Sequence, residues 1–116
     1  MSVAGQADQV PQEKLDLYEK LIATHPEIER KGKTMPYTSV NGHMFSHLSK
    51  SGELGLRLPA EARETFMRKY NTGLFVQHGA VMKEYVTVPD ELLVKTDELA
   101  GHLRVSYEYA KSLKPK

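Results

Sequence analysis

With 116 residues, 40% of them apolar and 27% charged, the chain has the size and balance of one globular domain around one modest core. A net charge of +1 excludes a global pull toward nucleic acid or membrane and leaves only a local patch open. The lack of any cysteine excludes disulfides, thiolate metal sites and Cys nucleophiles, and fits an intracellular, cytoplasmic protein.

Residues Met1–Val10 are small and polar, and read as a disordered segment that is neither a signal peptide nor a membrane span. No other stretch approaches the roughly 18 apolar residues that a span needs, so no membrane partner is expected. A single domain is expected over residues 11–116. Pro11 suits the first turn of a helix in which Leu15, Tyr18, Leu21 and Ile22 recur at helical spacing. That helix is expected to reach about Thr24 and to stop before Pro26.

After a charged loop over Glu27–Lys33, Met35–Val40 has strand composition, with Pro36 marking an edge or a bulge. Asn41-Gly42 is the strongest hairpin signal, because both central residues of a type I′ turn need positive φ. Met44, Ser46 and Leu48 alternate with Phe45 and His47 as a second strand, and Ser49–Gly52 makes a turn. In the third strand Leu54, Leu56 and Leu58 share a face, with Arg57 on the other.

Pro59 starts a helix with Ala62, Phe66 and Tyr70 on one face, closed by Asn71 or Gly73 in the left-handed conformation. Leu74–Gln77 and Val81–Val88 are the last strands, joined through His78-Gly79-Ala80. On the latter, Met82, Glu84, Val86 and Val88 share one face and Lys83, Tyr85 and Thr87 the other. Asp90–Val94 has room for one helical turn. Thr96 is the expected N-cap of a long final helix lined by Leu99, Leu103, Ser106 or Tyr107, and Ala110, with Lys114–Lys116 a frayed basic end. The fold class expected is α+β, in two layers and in the order α-β-β-β-α-β-β-α: a five-stranded antiparallel sheet with helices on one face.

The same order, with Met44-Phe45, Leu54-Gly55-Leu56-Arg57-Leu58, Met82-Lys83-Glu84-Tyr85 and Val88-Pro89-Asp90-Glu91-Leu92, resembles the N-terminal domain of TfoX-type proteins and, more distantly, YjbR-type proteins. The resemblance spans roughly Leu15 to Leu113. In that family a Met-Phe strand precedes a strand carrying Leu-x-Leu-Arg, and a later strand leads from Tyr to Pro before the final helix. Here the glycine-rich run beside Met-Phe is reduced to Asn41-Gly42-His43, and the second domain of full-length TfoX proteins is absent from this sequence. The resemblance implies a secretion-chaperone-like sheet with packed helices, a fold that more often binds partners or dimerises than catalyses.

Few residues suggest chemistry. His43 and His47 have a metal spacing only if helical. Four residues along a strand span about 13 Å, too far for two ligands within about 2.1 Å of one zinc. Arg57, Lys83 and Tyr85 are expected on the polar side of the sheet, where Lys33 and Lys31 would extend a cationic–aromatic surface for an anion or a partner. The competing reading pairs Arg57 with Glu84 or Glu53 across strands. Ser39, Ser46 and Ser106 lack a glycine elbow and a base–orienter pair.

No catalytic residue, cofactor or metal is expected. The function expected is a non-catalytic, self-associating module that recognises a protein partner. A nucleic-acid role would need Arg57, Lys83, Lys31, Lys33, Arg63, Arg68 and Lys69 to cluster. A small-ligand or enzyme role would draw on Arg57, Glu84, Tyr85 and His78.

Overall fold

The computed structural model describes residues 10–116. The disorder expected for the first ten residues lies outside that range except at Val10, which is half-buried and packs against the core instead. The elements are α1 (Gln12–Ile22), β1 (Tyr37–Val40), β2 (His43–Leu48), β3 (Leu54–Arg57), α2 (Ala60–Tyr70), β4 (Leu74–Gln77), β5 (Ala80–Val88), α3 (Asp90–Leu93) and α4 (Thr96–Ser112). The five strands form one antiparallel sheet in the order β1-β2-β3-β5-β4. The chain therefore leaves β3 through α2, lays down the edge strand β4, and returns to fill the gap with β5. The α+β class and element order are those expected, and α3 is the single turn for which Asp90–Val94 has room.

Both tight hairpins have both central residues at positive φ. They are Asn41 (56°) and Gly42 (82°) between β1 and β2, and His78 (54°) and Gly79 (77°) between β4 and β5. Two left-handed residues in a row define the type I′ geometry that matches strand twist. Asn71, also left-handed (φ 52°), ends α2.

Register fixes the buried face. Ser46 and Leu48 lie opposite Leu56 and Leu54, which in turn lie opposite Val86 and Val88. Onto this face the four helices of the described residues contribute buried side chains: Tyr18, Leu21 and Ile22 from α1, Phe66 from α2, Leu92 and Leu93 from α3, and Leu99, Leu103, Tyr107 and Ala110 from α4. Each fully buried leucine of β3 contributes roughly 1.5–3 kcal/mol of transfer free energy before chain entropy is charged against it.

Two irregularities depart from simple alternation. Thr38 pairs with Ser46 but Ser39 pairs with Met44, so Phe45 is the extra residue of a bulge. It enters the core, edge-on to Tyr107 with ring centroids 5.7 Å apart. A wider slip separates Leu74, opposite Val86, from Phe75, opposite Met82. Phe75 thus leaves the main cluster and reaches across β5 to lie on Gly55 of β3, with His47 edge-on at 6.0 Å.

Two terminal details differ from the expectation. Thr96 is the first helical residue of α4, with Lys95 in the N-cap position, and its buried Oγ1 has no hydrogen-bond partner. The carboxyl end is not frayed. The Lys116 amide donates to the Asn41 carbonyl (3.1 Å), the Asn41 side-chain amide donates to the Lys111 carbonyl (2.9 Å), and His43 Nε2–H donates to the Lys114 carbonyl (2.7 Å). No helix of the described residues is long and apolar enough to cross a membrane.

Candidate functional site

Arg57 and Tyr85 are direct neighbours across β3 and β5, as a shared surface requires. The guanidinium, however, is already engaged. Arg57 Nε and Nη2 each lie 2.7 Å from Glu84 Oε1, and Nη1 makes a long 3.4 Å contact with the Met44 carbonyl. Its central carbon faces the Tyr85 ring at 6.0 Å and the Tyr109 ring at 5.7 Å. Tyr85 is buried and donates its hydroxyl to the same Met44 carbonyl at 2.7 Å, while Tyr109 of α4 donates to Glu84 Oε2 at 3.1 Å. The result is a clamp, at the last residue of β3, that ties β2, β3, β5 and α4 together.

Electrostatics agree with this closed arrangement. Burial acts to raise the Glu84 carboxyl, but the hydrogen bonds from Arg57 and Tyr109 outweigh it and hold the group below the usual carboxylate range. Burial pushes the Tyr85 phenol up, and burial plus the bond to Glu84 does the same for Tyr109. Arg57 therefore meets an internal carboxylate where an incoming anion would have to compete.

The other two candidate cations stand apart. Lys83 is exposed, two residues from Tyr85, and makes no ion pair among the described residues. Lys33 lies in the exposed loop before β1, where its carbonyl accepts from Arg30, and β2 separates that edge from β3. Lys31 is bound to the Ser39 hydroxyl at 2.9 Å. Arg57 and Tyr85 are thus brought together, Lys83 stands free beside them, and Lys33 belongs to a different part of the surface.

Two further polar clusters escaped the reading of the sequence. Inside the core, Tyr18 and Ser46 hydroxyls lie 2.6 Å apart, and Thr38 is bonded to the same Ser46 oxygen. All three residues are fully buried, and burial drives the Tyr18 phenol far up, so the group stays neutral. Between α2 and α4, the Tyr70 phenol sits 2.5 Å from Glu98 Oε2 and 2.9 Å from His102 Nε2. Partial burial and the Glu98 carboxylate push Tyr70 up to about 12. The spacing of Glu98 and His102, one turn apart on α4, is the one local signal that could have pointed to this chain of bonds.

The two histidines of β2 have separate fates: His43 is bonded to the carboxyl-terminal segment, and His47 is buried against Phe75 with Nδ1 unpartnered. Among the described residues no group of three or more His, Cys, Asp or Glu side chains is placed to hold a metal ion. No protein-family model matches the chain, and no curated protein matches it.

Proposed function

We propose that this chain is a non-catalytic binding module that works through contact with a protein surface, a second copy of itself included. The observation that carries the reading is the β4–β5 hairpin. Val76 lies on the edge strand β4, which carries no charged side chain, and faces Val81 of β5, the two being 50% and 53% exposed. Edge strands are ordinarily guarded by charge or proline, and paired exposed aliphatics mark contact surfaces. The opposite edge is guarded: Lys31 bridges to Tyr37 at the start of β1, and Pro36 precedes it.

Lys83 gives such a contact a free cation on the neighbouring strand, while Arg57 and Tyr85 stiffen the strand it stands on. Lys33 would serve only a partner that reaches the far edge. The likeness to the TfoX N-terminal domain supports the same class of function, and a cytoplasmic setting is part of this proposal. The nucleic-acid reading is disfavoured because Arg57 is taken up by Glu84 and Arg63 donates to the Leu58 carbonyl.

Light scattering coupled to size exclusion tests the proposal. Mass is expected to rise above the monomer with concentration in the natural chain and to stay monomeric in Val76→Lys and Val81→Glu. A natural chain that remains monomeric at millimolar concentration would remove self-association. Unchanged association in both variants would move the contact elsewhere.

A further inference from the structure

Helices α2 and α4 meet through a hydrogen-bonded chain that the binding reading does not use. Tyr70 has one phenolic proton, and it is directed to Glu98 Oε2 at 2.5 Å. The 2.9 Å contact between the Tyr70 oxygen and His102 Nε2 must then have the imidazole as donor. His102 is thereby held with its proton on Nε2, and any further proton must go to Nδ1. The ring is half-buried, edge-on to Phe66 at 5.0 Å and to Tyr70 at 5.4 Å. A cleft lined by Leu58, Glu61, Ala62, Lys69 and Val105 reaches it from solvent.

We propose that this chain is a proton-sensitive joint: proton uptake at His102 Nδ1 loosens α2 from α4 while the sheet stays folded. Charged side chains of both signs surround the ring. Lys69 and Glu61 come from α2, Glu98 from α4, and Lys95 and Glu91 lie beyond Glu98 at the α3–α4 corner. Glu98 favours a cation at His102 but is already occupied by Tyr70, and Lys69 opposes one.

An imidazolium pressed against Phe66 loses hydration that it regains by swinging into the cleft. That swing breaks the bond to Tyr70 and the contact with Phe66. The consequence is large for α2 because Phe66 is its one fully buried side chain. An element held by so few buried contacts is the kind that opens locally before the rest of the molecule.

Amide hydrogen exchange on the full chain tests the joint, compared at about pH 7.5 and about pH 5, on either side of the ordinary imidazole pKa near 6.5. After correction for intrinsic rates, α2 amides are expected to exchange several-fold faster at the lower pH relative to those of β3 and β5. His102→Gln, which keeps an N–H donor but cannot titrate, is expected to abolish the difference, and His47→Gln to retain it. Equal α2 protection at the two pH values, or a difference that survives in His102→Gln, overturns the proposal. Should His102→Gln fail to fold, the His102 ring titration followed by NMR replaces it. Its midpoint must move in Tyr70→Phe, and an unmoved midpoint overturns the proposal equally.

Discussion

Phe75 lies on Gly55 across an intervening strand, so closely that a Cβ at position 55 would stand 2.6 Å from the ring. The glycine is needed here for space and not for its backbone conformation. Gly55→Ala is therefore expected to destabilise the fold by about 1–3 kcal/mol, the usual cost of overpacking. Phe75→Leu in the same background should recover part of the loss. Urea unfolding of the two single variants and the double measures the coupling, and a Gly55→Ala chain as stable as the natural one would contradict the interlock.

The Arg57 clamp should behave as a structural pair. Arg57 and Glu84 side chains retain 19% and 40% of their exposure, so solvent screens the pair. Arg57→Met is expected to cost on the order of 1–2 kcal/mol, nearer the surface-pair limit than the buried one. Without Arg57, Glu84 keeps only the Tyr109 hydroxyl. A double-mutant cycle with Glu84→Gln reads the coupling, and a coupling of zero would leave Arg57 available for a ligand.

The same carboxylate gives a pH signature. Its pKa in the folded state is depressed, so its contribution is complete above the unfolded-state value of about 4.3 and is lost as pH falls below that value. Glu84→Gln should lower stability at neutral pH and flatten the acid limb of a stability–pH curve. An unaltered acid limb would assign that loss to other groups.

His47 acts in a higher window. Burial, with His78 nearby, lowers its folded pKa, so folding favours the neutral ring. Its contribution is full above the unfolded imidazole pKa near 6.5 and declines as pH falls below it. His47→Gln should reduce the stability change between about pH 7 and pH 5 measured by denaturant midpoints. A change identical to that of the natural chain would exclude His47 as its source.

In the buried hydroxyl cluster, Ser46 is the shared member. Ser46→Ala removes the partner of both Tyr18 and Thr38, and is expected to cost about 1–3 kcal/mol. Tyr18→Phe leaves the Ser46–Thr38 bond in place and should cost less. The reverse order in thermal or urea unfolding would show that Ser46 is not the hub.

Much of the fold was legible because its signals are local. Asn41-Gly42 specifies its turn by backbone sterics alone, and the leucines of β3 declare their face by a period of two. The features that escaped depend on partners distant in sequence. A bulge such as that at Phe45 is invisible in one strand, since it exists only relative to Thr38 and Ser39 on the neighbour. Thr96 has the type and the acidic followers of a cap, yet α4 begins one residue earlier than that role allows. Of the candidate site, alternation alone put Arg57 and Tyr85 on one side of their strands, and their adjacency needed the strand order, which sets β3 beside β5. The Arg57–Glu84 pair was one of the two cross-strand pairings open to Arg57 in the sequence, whereas the Tyr109 contact was not foreseen, because it needs the position of α4 over the sheet.

The bonds joining Asn41 and His43 to Lys111, Lys114 and Lys116 make the first hairpin a mechanical anchor for the last helix. Tension applied at the carboxyl end would load that turn before it reached the centre of α4. Attachments placed there for immobilisation would report on the β1–β2 corner, some seventy positions away along the chain.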